Sequence, residues 1–191
     1  MHWRQWLTMG VITAAMLVAG YAVSRDLGAP VSHLTASTTP AIGDRAPGFS
    51  LPSLDGAEIS IRHMPRGPLL INFWASWCPY CRDETQSLVR LDGSCGRHLS
   101  IVGVAVNEAT PEVARFAQQA NIPYPILLDP TGTVANRYGV AYLPTTVLIN
   151  RTGHIAYVKR GAFVDTSQVR QLVNRVLHNV CRAPRLTAGR S

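Results

Sequence analysis

Two cysteines with two residues between them, Cys78 and Cys81, are the residues whose types and spacing point most directly to chemistry. They follow Leu69–Trp74, an apolar run with the length and composition of a buried strand, and the sequence becomes helical from Pro79. A cysteine at the start of a helix faces unpaired N–H groups and the positive end of the helix dipole, and both favour a thiolate. We therefore predict that Cys78 has a lowered pKa and acts as a nucleophile.

The second cysteine can complete a thiol-disulfide exchange. Cys81 lies one helical turn after Cys78, where it can attack a mixed disulfide, close the ring and release the product thiol. Arg82 adds positive charge nearby, and Asp83 and Glu84 partly oppose it, so the sequence leaves the sign of the local charge open. The spacing predicts a redox-active disulfide between a nucleophilic and a resolving cysteine.

Three other uses of such a cysteine pair compete with exchange chemistry. A zinc site needs a second pair of ligands, but Cys95 and Cys181 are isolated and no His lies within five residues of the pair. A c-type haem site needs a His directly after the second cysteine, where Arg82 stands. A purely structural bridge at this spacing stays open as the less favoured alternative. We predict a redox pair with no metal and no cofactor.

The composition indicates one ordinary globular domain plus a short extra segment. The chain has 191 residues, 18 Lys and Arg against 11 Asp and Glu, a net charge of +7 and 47% hydrophobic residues. These values exclude a disordered chain, and four cysteines are too few for a disulfide-stapled miniprotein. The basic residues are scattered, so no nucleic-acid partner is predicted, and a solvated surface or attraction to an anionic membrane face is favoured.

The extra segment is an uncharged apolar stretch at residues 7–23. It has about the minimum length of a membrane span, while a cleaved secretory signal and a buried core helix are the alternatives. We predict an uncleaved signal anchor with residues 1–6 in the cytoplasm, because Arg4 and the free amine precede it. The protein is then a single-pass protein of the inner (cytoplasmic) membrane, with its catalytic domain on the periplasmic or extracytoplasmic side.

The predicted domain boundaries follow from composition. Residues 24–41 are rich in Pro, Ser, Thr and Ala and are predicted to form a linker. Residues 42–181 are predicted to form the folded domain, and residues 182–191 a flexible tail.

Within the domain, strands and helices alternate. Two short strands flank an Asp55-Gly56 turn, and the helix that begins at Pro79 is predicted to stop at Asp92-Gly93. Continuous apolar strands separated by helices predict an α/β domain with a parallel sheet covered on both faces. The further predicted elements are a strand over 100–106, a helix capped by Thr110, a strand over 125–129, a short helix over 133–138, an antiparallel pair over 145–150 and 154–158, and a closing amphipathic helix over 166–181.

The segment Phe73-Trp-Ala-Ser-Trp-Cys-Pro-Tyr-Cys-Arg82 resembles the thioredoxin superfamily, and the chain is most similar to the membrane-anchored TlpA/ResA/CcmG-type thiol-disulfide oxidoreductases. The similarity covers about residues 42–180, with further matches at 43–49, 54–56, 103–106, 138–140 and 143–146. It implies a thioredoxin-like fold, with a central mixed sheet flanked by helices, an N-terminal β-hairpin, a helix-strand insertion at about 110–129 and one preceding transmembrane helix. The dipeptide Pro79-Tyr80 departs from the thioredoxin pattern and is similar to the glutaredoxin motif, which bears on the redox potential.

The resemblance also implies the surroundings of the cysteines. Pro144 is expected in the cis form against the pair, where the neighbouring backbone can pair with a substrate strand, and Trp74 is expected to pack around the site together with Trp77. The expected substrate cleft consists of Trp77, Pro79, Tyr80, Leu143 and Pro144. Cys95 and Cys181 are predicted to form a structural disulfide, because in the implied fold their two helices end at the same edge, away from Cys78. Two separate thiols are the alternative.

The function implied by the resemblance is an exported, membrane-tethered protein-disulfide oxidoreductase that acts reductively. Disulfide-containing substrates such as apocytochrome c, in cytochrome c biogenesis, and a transmembrane electron donor of the DsbD/CcdA type are the expected partners. A disulfide-introducing oxidant or isomerase is the rival within the class. The rivals from other classes are a non-catalytic metal or haem chaperone and a peroxiredoxin-like peroxidase, in which a Thr is expected where Ala75 stands.

Overall fold

The computed structural model describes residues 39–63 and 67–181. The predicted membrane anchor at residues 7–23, the linker up to residue 38 and the tail from residue 182 lie outside these residues. Among the described residues, no helix is long and apolar enough to cross a membrane.

A five-stranded mixed sheet forms the centre of the domain, in the order β5-β4-β3-β6-β7. The first three strands in this order run parallel, whereas β6 is antiparallel to both β3 and β7. All six residues of β3 are buried, as expected for a continuous apolar run in the middle of a sheet. The strands are β3 (Leu69–Trp74), β4 (Ser100–Val106), β5 (Ile126–Asp129), β6 (Thr145–Ile149) and β7 (Ile155–Arg160).

Alternate residues of the strands supply two hydrophobic layers. On one face Ile71 and Phe73 pack with Tyr138, which follows the short helix α3. On the other face Leu70 packs with the long helix α1 and the closing helix α4. This alternation follows from the two-residue period of a strand. The helices are α1 (Pro79–Cys95), α2 (Thr110–Gln119), α3 (Thr133–Arg137) and α4 (Thr166–Val176).

Both edges of the sheet are partly covered by residues that precede β3 in the chain. An antiparallel hairpin consists of β1 (Ser50–Pro52) and β2 (Glu58–Ser60). Its turn contacts β5, where Leu54 N donates to Ile126 O at 3.0 Å. At the other edge, Gly43 N donates to Ile155 O at 2.8 Å, at the start of β7. The hairpin was predicted from its Asp55-Gly56 turn, and Gly56 has the positive φ of 85° that such a turn uses.

The predicted ends of α1 and α4 and the predicted N-cap of α2 were wrong. Helix α1 continues through Gly93 to Cys95 and ends at Gly96, whose φ is 50°. A glycine inside a helix costs only about 1 kcal/mol, and the helix continues past Gly93 to the buried Cys95. Helix α4 ends at Val176 rather than at residue 181, because the chain turns through positive φ at 178 and 179. Helix α2 has Ala109 rather than Thr110 at its N-cap.

Candidate active site

Cys78 occupies the N-cap of α1, at the end of the turn that leaves β3. Its N–H donates to Ala75 O at 3.2 Å, and its own carbonyl accepts from Arg82 N at 3.2 Å. Its sulfur accepts from Cys81 N at 3.3 Å and so takes the place that a capping oxygen has in other helices. Both cysteines are free thiols, and Cys78 is 5% exposed whereas Cys81 is only 1% exposed. The outer sulfur is the one that a substrate can reach.

The cis peptide bond between Leu143 and Pro144 lies against this turn. Strand β6 begins directly after it, and the β3–β6 register pairs Phe73 with Thr145. The antiparallel pairing therefore brings the end of β3 and the start of β6 to the same edge of the sheet. There the thiol of Cys78 donates to Leu143 O, with 3.7 Å between sulfur and oxygen. The structure brings together the cysteine pair and the predicted cleft residues Leu143 and Pro144.

The aromatic residues near the cysteines divide into a buried and an exposed set. Trp74 is 3% exposed, shares a hydrophobic cluster with both cysteines and packs against Phe116, with 5.3 Å between ring centroids. Trp77, by contrast, is 62% exposed and Tyr80 is 68% exposed. Of the two tryptophans predicted to pack around the site, Trp74 supports it from within and Trp77 stands on the surface beside it.

A buried carboxyl group, Glu84, lies beneath the cysteine pair. One of its oxygens accepts from Asn72 Nδ2 at 2.8 Å and the other accepts from Phe163 N at 2.9 Å. From the sequence alone, Glu84 was expected only to oppose the charge of Arg82 together with Asp83. The helical spacing could have indicated that Glu84 is buried. The buried face of α1 repeats every three or four residues and includes Cys81, Glu84 and Leu88.

Burial shifts the pKa of two groups, the Glu84 carboxyl group and the Cys81 thiol. It raises the pKa of Glu84 to about 7, although the two hydrogen bonds and the charge of Lys159 act in the opposite direction. It also raises the pKa of the Cys81 thiol, and the sulfur of Cys78 and the charge of Glu84 add to the effect. Glu84 can therefore gain or lose a proton near neutral pH, one helical turn from a thiol that must lose its proton in order to react.

We expect Glu84 to make the folded domain less stable as the pH rises. Because its pKa rises from 4.5 to about 7 on folding, the folded chain binds more protons than the unfolded chain between these pH values. The free energy of unfolding should fall by about 3 kcal/mol between pH 4.5 and 7 from this group alone. Urea unfolding at several pH values measures this slope.

Glu84→Gln is expected to remove most of that slope. Glu58→Gln, which changes an exposed residue of β2, serves as the control and should keep the wild-type slope. Equal slopes in wild type and Glu84→Gln would contradict the assignment.

Glu108 holds the segment just before Cys78 in place. Its carboxylate accepts from Ser76 N at 2.8 Å and also from the Ser76 hydroxyl group. This contact ties the turn after β3 to the loop after β4. Sequence reasoning missed it, because the two residues are 32 positions apart and carry no shared motif.

The second cysteine pair lies at the other end of α1. Cys95 and Cys181 are joined in a disulfide, and both are buried. Asn174 holds the chain around Cys181, since its side-chain oxygen accepts from Cys181 N at 2.8 Å and its Nδ2 donates to Cys181 O at 2.7 Å. A helix of 17 residues is about 25 Å long, so this disulfide is remote from Cys78.

The sequence of the domain matches a known protein family. Residues 42–158 match the model of the AhpC/TSA family. The thiol-disulfide oxidoreductase ResA of Halalkalibacterium halodurans is 29% identical over 163 residues, which are 85% of this chain and 89% of that protein.

Solved structures agree with this match. A thiol:disulfide interchange protein of the thioredoxin family from Chlorobium tepidum superimposes with a TM-score of 0.63 at 27% identity, covering 69% of this chain and 94% of that one. A secreted disulfide oxidoreductase of Mycobacterium tuberculosis, described as homologous to E. coli DsbE, gives a TM-score of 0.59 at 26% identity, covering 67% and 93%.

Proposed function

Since the chain belongs to the AhpC/TSA family of thioredoxin-like proteins and is a thiol-disulfide oxidoreductase of the ResA/DsbE type, we propose that it works as a reductant of protein disulfides outside the cytoplasm. Cys78 is the nucleophile and Cys81 the resolving cysteine. The observation that carries the direction of the reaction is the burial of Glu84 beside Cys81.

The direction of the exchange depends on the relative stability of the dithiol and disulfide forms. Strong oxidants of this fold owe their potential to a stabilised reduced form. Here burial and the charge of Glu84 raise the pKa of Cys81, so they disfavour a thiolate at that position. The guanidinium group of Arg82, the nearest cation in sequence, lies over the Phe116 ring at 5.5 Å from its centroid. The reduced form therefore gains no stability from ionisation of Cys81 near neutral pH, in contrast to a strong oxidant whose reduced form is stabilised.

The proposed reaction transfers two electrons from the dithiol to the substrate. The Cys78 thiolate attacks one sulfur of the substrate disulfide, a mixed disulfide forms, and the first substrate sulfur leaves as a thiolate that takes up a proton from solvent. Cys81 passes its proton to the Glu84 carboxylate and attacks the sulfur of Cys78. The ring closes, the second substrate thiol leaves and takes up a proton, and the enzyme carries the Cys78–Cys81 disulfide.

The substrates and the electron supply are part of the same proposal. A reductant that works in an oxidising compartment has to be recharged at the membrane, and the apolar residues 7–23 supply a tether. The exported domain then keeps the cysteines of proteins such as apocytochrome c reduced for haem attachment. A transmembrane donor of the DsbD/CcdA type returns electrons to the Cys78–Cys81 disulfide.

The midpoint potential of the Cys78–Cys81 pair tests the direction. We expect a value near that of thioredoxin, roughly −270 mV, because the reduced form lacks a stabilised thiolate at Cys81. Equilibration with glutathione and dithiothreitol buffers, followed by alkylation of the free thiols, measures it. A value near that of the oxidant DsbA, roughly −120 mV, would reverse the proposed direction.

A further inference from the structure

An open cleft beside Cys78 combines apolar walls with acidic charge. The cleft has a volume of about 510 Å³. Its lining consists of Tyr80, Asp83, Leu143, Pro144, and residues 161–164. Leu143 connects it to the nucleophile, because the Cys78 sulfur lies 3.7 Å from Leu143 O. A peptide whose cysteine reaches Cys78 therefore has neighbouring residues within reach of this cleft.

The wall formed by residues 161–164 is held from inside the protein. Phe163 N donates to the buried carboxylate of Glu84 at 2.9 Å, and Val164 N donates to Gln168 Oε1 at 2.8 Å. These two backbone donors are already occupied, so neither is available to the backbone of a substrate. Phe163 is buried at the base of the cleft, and Val164 is 84% exposed at its rim. This surface suits an apolar side chain of a substrate.

Among the residues that the structure describes, Asp83 is the one charged side chain that lines the cleft. It lies three residues after Tyr80 on α1, so the two exposed side chains share a face of the helix. The neighbouring Arg82 extends instead over the Phe116 ring. In the described part of the chain the one ion pair joins Arg115 and Glu112 on α2. Within the described residues, the Asp83 carboxylate therefore has no ion-pair partner.

The charge of this cleft is opposite to that of the whole chain. A net charge of +7 repels basic substrates at long range, whereas Asp83 attracts a cation at the cleft itself. We infer that the cleft selects protein segments in which the reactive cysteine is flanked by an apolar residue and by Lys or Arg. The apolar side chain packs on Leu143 and Val164, and the cation pairs with Asp83. This inference rests on the proposed function and names the substrate class for it.

Matched peptide disulfides test this preference. The probes are disulfide-linked homodimers of acetyl-Ala-Leu-Cys-X-Ala-amide and acetyl-Ala-X-Leu-Cys-Ala-amide, with X either Lys or Glu. Each turnover by the full-length reduced protein in detergent moves two electrons from the Cys78–Cys81 dithiol to the peptide disulfide and releases two peptide thiols.

The readout is the ratio of the second-order rate constants for the Lys and Glu peptides. At low salt, in at least one of the two peptide sets, we expect the wild-type protein to favour Lys about threefold, the size of effect usual for an exposed charge pair. In Asp83→Asn the ratio should fall to one or below, and in Asp83→Lys it should invert.

Glu58→Lys is the matched control, because it changes the net charge as Asp83→Lys does, but on the exposed face of the hairpin. It should retain the wild-type ratio. An equal loss of preference in Glu58→Lys, or a wild-type ratio of one or below in both peptide sets, overturns the inference. Reduction of hydroxyethyl disulfide by the wild type separates the two proposals. If this reaction also fails, the proposed function itself is overturned.

Discussion

Replacement of Cys78 by Ser is expected to abolish the reduction of insulin disulfides and to leave only the rate of the added reductant. Cys78 is the thiol at the helix N-cap, and it is more exposed than Cys81. A hydroxyl group at the same position cannot form the mixed disulfide on which the exchange depends. The loss should be complete, because no other free thiol in the described chain is more exposed than Cys78.

Cys81→Ser provides the matched comparison. This variant keeps the nucleophile and lacks the resolving thiol, so we expect a substrate to stay attached to Cys78 as a mixed disulfide. Mass spectrometry of the protein after incubation with a peptide disulfide should show the adduct in Cys81→Ser and not in Cys78→Ser. Adducts on Cys81 in the Cys78→Ser variant would reverse the two roles, and substantial insulin reduction by Cys78→Ser would favour a non-catalytic use of the pair.

Removal of the remote disulfide is expected to have the largest effect on stability. The Cys95–Cys181 bond closes a loop with a sequence separation of 86, for which the chain-entropy effect is at most about 4–5 kcal/mol. We expect the double variant Cys95→Ala/Cys181→Ala to lose about 3 kcal/mol in the free energy of unfolding and to melt about 10 °C lower. Denaturant unfolding and thermal scans measure both changes.

The double variant Cys78→Ser/Cys81→Ser is the control, because it changes the same number of cysteines and leaves the remote disulfide intact. It should keep most of the stability of the wild type. Thiol labelling of the oxidised, denatured protein gives an independent check, since Cys95 and Cys181 should label only after reduction. An unchanged melting temperature in the Cys95→Ala/Cys181→Ala variant would mean that the bridge contributes little.

Most of the strand framework could be predicted from the sequence, because its signals are local. The apolar run Leu69–Trp74 is continuous and short, and the Asp55-Gly56 turn has few conformations available to it. The ends of the helices were harder to predict. The stop of α1 was expected at Gly93, but Cys95 lies further along the same buried face and is bonded to Cys181, so tertiary contacts extend the helix.

The cysteine pair could be located from the sequence, whereas its supporting groups could not. Cys78 and Cys81 are two residues apart, so a local motif contains them both. Glu84 is held in place by a hydrogen bond from Phe163 N, which is 79 positions away in the chain. The same contact shapes the cleft that also contains Asp83. Such pairings depend on the final packing of α1 against the segment before α4, and no local pattern encodes them.

The coverage of the two sheet edges also bears on aggregation. An open edge strand offers an extended chain a place to pair, which favours edge-to-edge association. Leu54 occupies one such place at Ile126, and Gly43 occupies another at Ile155. The N-terminal residues of the domain thus occupy pairing positions through which another chain could otherwise extend the sheet.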